Sequence, residues 1–515
     1  MVKRALLLGA ALAAVATVAP SASAFSPPAP GAAKPEVLKV PDGPASVRGL
    51  ADSPTVGVFL GQVQYAVPLE LPKAAADFAP SIALQYSGAL GNGPLGIGWT
   101  LGGVFIKRSE RHGVPTYTDA DALELVGLGD GALIAVADGN YRVEGQGNTV
   151  RVDRDGAGFV VRTGDGLRFR LGTTADARLE AGGRVASWHV ESATDLGGQE
   201  VRYTYTRDGG QLYLTSAAWG PGGAFALLAH YGARPDAVTS FRTGFEVITA
   251  RRIERLEVRA FGEELRSYHL EYDGAFALSR LARIRMTGRG GQGELPALRF
   301  PYGARHAPAV TKLGNTAGWV LNERGTSVAD VDGDGVGDLL RLEQGKHTYR
   351  RNLGGSFGDP VTLTGAESVA LGDGFLLDVD GDSKPELVRI VGDTWRVRRL
   401  AGNAWVGGDV WRQSSLVPLA GAGVALADLN GDGRTDVVQA ATNGIRVRFG
   451  VDKGLSAEAS RPFLAPADQA VEPGAAAVRF ADVNGDGLAD VVWLHDPWMK
   501  AYLGRGDGTF QEHAK

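Results

Sequence analysis

Cysteine is absent from all 515 residues of the chain. Disulfide bonds, a thiol nucleophile and a lipid anchor attached to cysteine are therefore excluded. An exported protein without disulfides depends on the size of its core or on bound ions for its stability. This absence directs attention to any group of residues that could hold a metal ion.

A basic surface is also lacking, because 53 Lys and Arg residues face 58 Asp and Glu residues and leave a formal charge of −5. No basic stripe of the kind that binds nucleic acid is present, so we predict no nucleic-acid partner.

Catalytic motifs are lacking too. The eight His residues form no His-Glu-x-x-His pattern, and no Gly-rich loop ends in Gly-Lys-Ser or Gly-Lys-Thr. We therefore predict that the chain is not an enzyme.

The only long apolar run lies near residue 1. Lys3 and Arg4 lead into the run "ALLLGAALAAVATVA", and the small residues Ala22-Ser23-Ala24 follow. This run is shorter than the roughly 20 residues that span a bilayer, and the pattern is typical of a cleaved signal peptide. We predict a signal peptide at 1–24, a Pro- and Ala-rich linker at 25–54, and no membrane span after cleavage. Secretion is the expected fate, with the periplasm or the cell surface left open.

Glycine is abundant, with 74 residues, and many stretches alternate apolar and polar residues. In "VQYAVPLELP" the residues Val63, Tyr65 and Val67 fall on one face of an extended chain. Such alternation between Gly-rich turns predicts short β-strands rather than helices. The fold class predicted is all-β, with an amino-terminal β-rich domain over 55–305 and a β-propeller with Ca²⁺-binding blade loops over 306–515.

The propeller prediction rests on an acidic loop that occurs four times. The copies begin at residues 330, 378, 428 and 482, so that they follow one another at nearly regular intervals. An apolar strand precedes each copy, and two more strands follow it. A period of this length with several strands per unit is typical of propeller blades. The segment "APAVTKLGN" (307–315) resembles an outer strand that could close the ring against the last blade.

Each loop places oxygen donors at positions 1, 3, 5 and 9, with a backbone carbonyl available at position 7. This arrangement suits Ca²⁺, a hard cation that takes six to eight oxygen ligands. The predicted ligands are Asp330, Asp332, Asp334, Val336 and Asp338 in loop 1 (330–338); Asp378, Asp380, Asp382, Lys384 and Glu386 in loop 2 (378–386); Asp428, Asn430, Asp432, Arg434 and Asp436 in loop 3 (428–436); and Asp482, Asn484, Asp486, Leu488 and Asp490 in loop 4 (482–490). Loop 2 has Ser383 where glycine is expected, and we expect it to be the most distorted copy.

Other interpretations of these loops remain open. An EF-hand requires a bidentate Glu at position 12, where the four copies have Arg341, Arg389, Gln439 and Trp493. Asp, Asn and Gly are also good turn formers without any metal. The "RGD" triplet at residues 505–507 could be an integrin-binding motif, but its spacing also fits the hairpin turn of the last blade.

The four loops resemble FG-GAP (VCBS-type) repeats, the Ca²⁺-binding units also found in integrin α-chain propellers. Residues 57–113, with the text "GNGPLGIGWTLGGVFIKRS", resemble the amino-terminal domain of the Salmonella virulence plasmid B protein, which is shared with the B component of insecticidal toxin complexes. That resemblance implies a scaffold that binds other proteins during toxin assembly or delivery. The alternative function is a stand-alone extracellular adhesion or carbohydrate-binding propeller, with a cell-surface glycan as partner.

Overall fold

The computed structural model describes residues 54–56, 62–274, 277–303, 312–321, 325–334, 336–366, 368–370, 374–412, 419, 423–441, 444–462, 477–495 and 498–512. Within these residues the chain is almost entirely β-strand. Only four single 3₁₀ turns interrupt the strands, at Ala75–Asp77, Ala175–Ala177, Pro221–Gly223 and Arg289–Gly291. The all-β prediction is confirmed. The predicted signal peptide and nearly all of the predicted linker lie outside the described residues.

The first sheet has four antiparallel strands in the order β1-β2-β3-β6, and β4 and β5 form a separate hairpin. Val67, Leu84 and Trp99 are buried on one of its faces, as the alternation of apolar residues predicts. The strands are β1 Thr55–Val56, β2 Val63–Pro68, β3 Ala83–Ser87, β4 Asn92–Gly93, β5 Gly96–Ile97 and β6 Trp99–Leu101.

The next strands close on themselves. Strands β7 to β13 pair in sequence, and β15 pairs with both β13 and β7, which joins eight strands into a closed cylinder. Phe159, Leu171 and Trp188 are among its fully buried core residues. The strands are β7 Phe105–Arg108, β8 Leu123–Val126, β9 Gly131–Ala137, β10 Asn140–Val143, β11 Val150–Asp155, β12 Gly158–Thr163, β13 Arg168–Leu171, β14 Arg178–Ala181 and β15 Arg184–Thr194.

A long antiparallel meander continues from β15 and remains in the same sheet. Its turns are short, so each strand pairs with the next along the chain. The strands are β16 Glu200–Asp208, β17 Gln211–Trp219, β18 Phe225–Ser240, β19 Val247–Ala260, β20 Glu263–Tyr272, β21 Leu281–Gly288 and β22 Leu298–Arg299. One hydrophobic core extends from the first sheet through the cylinder to this meander.

The repeat region forms four separate four-stranded antiparallel sheets, one per acidic loop. The first three strands of each sheet are those predicted around each loop. The first sheet holds β23 Thr326–Ala329, β24 Asp338–Glu343, β25 Lys346–Arg350 and β26 Val361–Leu363. The second holds β27 Gly374–Leu377, β28 Glu386–Val391, β29 Thr394–Ala401 and β30 Ala404–Arg412. The third holds β31 Val424–Ala427, β32 Asp436–Ala441, β33 Gly444–Arg448 and β36 Ala459–Arg461, with the hairpin β34 Gly450–Val451 and β35 Gly454–Leu455 beside it. The fourth holds β37 Val478–Ala481, β38 Asp490–His495, β39 Trp498–Gly504 and β40 Phe510–Glu512.

Neighbouring repeat sheets pack face to face through apolar clusters. Leu340 and Trp405 belong to the cluster between sheets one and two, and Leu377 and Val437 to the cluster between sheets two and three. A third cluster joins sheets three and four. Among the described residues, no such cluster joins sheet four to sheet one. This serial packing is what propeller blades require, but a closed propeller remains a prediction.

The expected closing strand is wrong for the part that the structure describes. Residues 307–311 lie outside the described residues, but Gly314 bridges Ser356 in the first repeat sheet's own connection. The amide of Phe357 donates to the carbonyl of Gly314 at 3.0 Å. The described residues of this segment therefore pair with the first repeat sheet and not with the last one. In the described part of the chain, no helix has the length and apolar character that crossing a membrane requires.

Candidate metal centres at the acidic loops

Each acidic loop connects the first and second strands of its own sheet, and its position-1 aspartate shapes it. The Oδ1 atom of Asp428 accepts the amide of Gly431 at 2.8 Å, and its Oδ2 atom accepts the amide of Gly433, also at 2.8 Å. Asp482 makes the same two contacts with Gly485 and Gly487. These bonds fold the loop back on itself, so its side-chain oxygens converge.

Position 9 begins the second strand and is the most buried position of each loop. Asp338, Asp436 and Asp490 are 0% exposed, and Glu386 is 2% exposed. Each carboxylate accepts the backbone amide of position 2 of its own loop, at 2.8 to 3.1 Å. The position-9 carboxylate therefore holds the loop backbone in place, in addition to being a candidate metal ligand.

Positions 5 and 7 are linked in all four loops. The amide of position 7 donates to the carboxylate of position 5, from Val336 to Asp334, Lys384 to Asp382, Arg434 to Asp432 and Leu488 to Asp486, at 2.8 to 3.1 Å. This contact fixes the turn at position 6. There Ser383 takes a φ of 69°, and Gly433 and Gly487 take 86° and 80°. Loop 2 keeps this bond, but it lacks the bond from the amide of position 5 to the position-1 aspartate that loops 1, 3 and 4 have. It also places a non-glycine residue, Ser383, at a positive φ.

Loops 1 and 2 bring three carboxylates together. One oxygen each from Asp330, Asp332 and Asp338 lie within 4.8 Å of one another. The same holds for Asp378, Asp380 and Glu386. Such closeness between like charges is costly in the absence of a cation.

An arginine lies against each of these two clusters. The Nε atom of Arg351 is 2.8 Å from Asp332, and its Nη2 atom is 3.0 Å from Asp334. In loop 2 the Nε atom of Arg399 is 3.0 Å from Asp380. When the count is continued beyond each loop, both arginines stand at position 22. The sequence contains this regularity, but sequence reasoning missed it.

Loops 3 and 4 differ at the same two places. Position 3 is Asn430 or Asn484, and position 22 is Phe449 or Leu503. Among the described residues, no three carboxylates in these loops meet within 4.8 Å. Counting positions 1, 3, 5, 9 and 22, loops 1 and 2 hold four carboxylates and one arginine, while loops 3 and 4 hold three carboxylates. At these five positions each loop therefore carries a formal charge of −3, and Lys384 and Arg434 at position 7 add one positive charge to loops 2 and 3.

Burial and mutual repulsion raise the pKa values of the position-9 carboxyls. Burial is the main cause, and the charges of the other loop carboxylates add to it, against the opposing effect of backbone amides. The pKa rises to about 7 for Glu386, about 8 for Asp436 and about 6 for Asp490. A bound cation would oppose these shifts, because it favours the ionised form of each ligand.

A cavity of about 460 Å³ opens beside loops 1 and 2. The first strands of three repeat sheets supply much of its wall, with Val328, Phe375 and Leu426 as apolar lining residues and Asp330 and Asp378 at its edge. In a propeller the first strands of the blades line the central axis, so the predicted propeller would place its axis at this cavity.

Two features that resemble catalytic groups have structural roles here. His189 is stacked on Phe105 with ring centroids 5.1 Å apart, and burial lowers its pKa to about 4. Its Nε2 atom is 2.9 Å from Ser187 Oγ. Residues 354–358 spell Gly-x-Ser-x-Gly, a pattern that sequence reasoning overlooked. Ser356, however, lies in a turn between two strands and not at a strand-to-helix elbow.

Comparison with known proteins agrees with this architecture. Residues 58–163 match the family model described as Salmonella virulence plasmid 65kDa B protein, and residues 378–439 match the FG-GAP-like repeat. The predicted resemblance is confirmed. A Mono(ADP-ribosyl)transferase SpvB from Salmonella choleraesuis is 30% identical over 177 residues, which is 28% of this chain and 30% of that protein. The match lies in the amino-terminal region of SpvB, outside its ADP-ribosyltransferase domain. The chain thus spans under a third of the length of the curated relatives it matches.

Solved structures show the fold over nearly the whole chain. A structure of the Photorhabdus luminescens Tc holotoxin pore aligns with a TM-score of 0.58 and 19% identity, covering 92% of this chain and 29% of that one. A crystal structure of TcdB2-TccC3-TEV aligns with a TM-score of 0.57 and 19% identity, covering 92% and 30%. The amino-terminal sheets and the repeat sheets are thus found together in toxin-complex proteins.

Proposed function

We propose that this chain is a secreted, non-enzymatic, calcium-stabilised scaffold that binds a protein partner in a toxin-complex-like assembly. The observation that carries the proposal is the alignment of 92% of the chain with a Tc holotoxin chain at a TM-score of 0.58. The alignment includes both the amino-terminal sheets and the four repeat sheets. The two proteins are therefore similar in how these domains follow one another, as well as in each domain's fold.

The non-enzymatic part of the proposal is supported by where the similarity falls. The match to the Salmonella transferases lies in their amino-terminal region, which is not the transferase domain. The described residues that resemble catalytic groups, Ser187 with His189 and Ser356, occupy packing and turn positions. The proposed activity is therefore binding.

The proposal of bound calcium is supported by two buried carboxylate oxygens, one in loop 1 and one in loop 2. Asp332 Oδ1 and Asp380 Oδ1 are buried and have no hydrogen-bond partner among the described residues. A buried carboxylate oxygen without a partner is costly, and a cation would satisfy it. The donors are all carboxylate, amide or carbonyl oxygens, which Ca²⁺ prefers over softer ligands. The residues fit this ion, and the holders would be the position 1, 3, 5, 7 and 9 residues of each loop.

The chemistry that Ca²⁺ supplies is charge neutralisation. The chain's own residues shape the site. The position-1 aspartates fold the loops through hydrogen bonds to backbone amides, and the position-9 carboxylates anchor each loop to its second strand. The ion would thereby stabilise the edge of each sheet at which the first strand passes into the second.

The scaffold proposal is tested by isolating the native protein after cross-linking and identifying its partner by mass spectrometry and size-exclusion chromatography. We expect a complex of fixed stoichiometry with a large protein encoded by the same organism. Elution as a free monomer, together with specific binding on a glycan array, would replace the proposal with the adhesion or carbohydrate-binding alternative.

The calcium proposal is tested by metal analysis and by thermal unfolding with and without chelator. An ion that binds only the folded state stabilises it by about 2.7 kcal/mol at a concentration a hundredfold above its Kd. We expect chelation to lower the melting temperature and the double variant Asp428→Ala, Asp432→Ala to reduce that response. Asp452→Ala, at an exposed turn outside the loops, is the matched control. Identical melting curves in calcium and in chelator would contradict the proposal.

A further inference from the structure

Four arginines form one row on the outer surface of the closed cylinder. Arg142 of β10 lies opposite Arg151 of β11. Arg151 in turn lies opposite Arg162 of β12, and Arg162 lies opposite Arg168 of β13. The neighbour of Arg162 along β12, Val161, is 0% exposed in the core, so the alternation of the strand directs the arginine outward. No single stretch of sequence shows this row, because each strand contributes one member.

Within the residues that the structure describes, one member of the row has a carboxylate partner. Arg162 forms an ion pair with Asp153, which lies on the outer face of β11. Arg142 donates to an amide oxygen and to a backbone carbonyl, and both of these acceptors are neutral. Arg151 and Arg168 are exposed, and neither forms an ion pair in the described part of the chain. Four arginines and one aspartate therefore leave an excess of positive charge along the row.

This arrangement opposes folding, because like charges directly opposite each other on neighbouring strands are destabilising. Neighbouring strands are about 4.8 Å apart, so the row extends over about 14 Å in three equal steps. Local conflicts of this kind are expected at functional sites, where a ligand compensates for them. A ligand that neutralises the row must carry several negative charges in a line.

The surroundings of the row restrict the shape of such a ligand. Asp153 and Asp155 follow Arg151 on the same face of β11, so the unpaired positive charge is confined to a narrow line. A flat anionic membrane, or a duplex with two lines of phosphates, would meet these carboxylates as well. The outward positions of β10 to β13 hold no aromatic side chain, so the bases of a single-stranded nucleic acid have nothing to stack on.

We propose that the row binds a linear sulfated polysaccharide, which lies across strands β10 to β13. Such a polymer carries its anionic groups along one thin chain, so it covers the arginines without covering Asp153 and Asp155. All four members of the row are arginine and none is lysine. A guanidinium is more weakly hydrated than an ammonium group and presents paired N–H donors to an oxyanion. It therefore pairs better with a sulfate ester than with a carboxylate, which holds its water more strongly.

The experiment measures the affinity of the full chain for heparin, a linear sulfated polysaccharide, at several salt concentrations. Release of counterions by four contacts predicts that the logarithm of the affinity falls with the logarithm of the salt concentration with a slope of about −3. The double variant Arg151→Gln, Arg168→Gln should bind about tenfold more weakly, with a slope smaller by about 1.5. Its melting temperature should be no lower than that of the wild type, because repulsion between the strands is relieved.

The double variant Arg299→Gln, Arg396→Gln is the matched control, because both arginines are exposed and lie on strands outside the cylinder, in β22 and β29. It removes the same charge and should bind heparin as tightly as the wild type does. Equal losses in the two double variants, or an absence of heparin binding, would overturn the proposal. Tighter binding of polyglutamate, of unsulfated hyaluronan or of DNA would assign the row to another class of ligand and would also overturn it. Because calcium and a protein partner take no part in this binding, its failure would leave the scaffold proposal standing.

Discussion

At the scale of single residues, a buried ion pair connects three segments of the amino-terminal domain. The side chain of Arg234 is 0% exposed and that of Asp236 is 5% exposed, with Nη2 and Oδ2 2.8 Å apart. Asn92, in the hairpin β4–β5, donates to the same carboxylate at 2.8 Å, and Ser279 Oγ donates at 2.6 Å. The pair therefore ties the Gly-rich segment "GNGPLGIG" to β18 and to the turn before β21. Burial alone would raise the pKa of Asp236, but the hydrogen bonds outweigh it and hold the pKa well below its usual range.

Replacing the Asp236 carboxylate should strongly lower the free energy of unfolding. We expect Asp236→Asn to destabilise the protein by about 3–5 kcal/mol, because it leaves Arg234 as a buried charge without its partner. Because the folded-state pKa is depressed, this stabilisation is present above the pKa of the unfolded chain and is lost as the pH falls. Denaturant unfolding of the full chain measures the effect. Asp208→Ala, which breaks the exposed pair with Arg251, is the control and should cost less than about 1 kcal/mol. Equal costs for both variants would contradict the role assigned to burial.

At the scale of the elements, each acidic loop and its second strand form one unit, and in two of the four sheets an arginine in or directly after the third strand lies against that unit. Arg351 takes part of the charge that a cation would otherwise neutralise in loop 1. The guanidinium and the ion therefore act on the same carboxylates.

Removing this arginine should separate the two effects. We expect Arg351→Leu, which introduces the residue type that loop 4 has at this place, to lower the melting temperature in chelator, because the loop 1 carboxylates lose their positively charged neighbour. The same variant should gain more from calcium than the wild type, since a more negative site binds the ion more tightly. Arg396→Leu, on the exposed side of β29, is the control. A calcium response no larger than that of the wild type would show that the arginine does not oppose the ion.

The buried position-9 carboxyls predict a specific pH dependence. Their pKa values in the folded protein are raised, to about 7 for Glu386, 8 for Asp436 and 6 for Asp490. A raised pKa means that their contribution is fully present below the pKa of the unfolded chain and is lost as the pH rises through the folded-state values. In chelator, the melting temperature of the repeat region should therefore fall by about 5 °C or more between pH 5 and pH 8.

Calcium should reverse this trend, because its ligands bind in the ionised form and binding releases protons. The apparent calcium affinity should rise over the same pH interval. Scanning calorimetry at several pH values, in calcium and in chelator, measures both effects. Parallel pH curves in the two conditions would contradict the placement of the ion beside the position-9 carboxyls.

At the scale of the whole molecule, the contact between loops 3 and 4 and the amino-terminal domain decides how the two regions are held together. The amide of Phe241 donates to Asp486 of loop 4 at 2.9 Å. Gly506 lies in this contact, where it has a φ of +76° and faces Val114. Any side chain there would meet the other domain. Gly392 also has a positive φ, of +65°, but has open space around it.

These two glycines allow a matched comparison. Both Gly506→Ala and Gly392→Ala should cost about 1–2 kcal/mol of backbone strain. Gly506→Ala alone should also loosen the contact with Val114, so we expect a larger radius of gyration in small-angle X-ray scattering and faster proteolysis near residues 239–246. If the two variants had the same radius and the same cleavage pattern, the contact would not hold the domains together in solution.

The chain's sequence was sufficient to predict the all-β class, the four acidic loops and the strands around each of them. These features depend on the alternation of side chains, on turn-forming residues and on a repeat whose spacing is visible in one dimension. The burial of position 9 was not predicted, because Asp and Glu are seldom fully buried unless they are paired.

Only the tertiary structure decided which strands close the cylinder, because the pairing of β13 and β15 joins segments whose local patterns resemble those of their neighbours. It also decided that Asn484 donates to Thr239, a contact between residues 245 positions apart. The roles of Arg351 and Arg399 emerged in the same way, since an arginine at position 22 has no evident relation to an aspartate at position 3 in the linear chain. Local patterns determine which element forms, whereas partners between distant elements are set by packing of the whole chain, which no single stretch of sequence encodes.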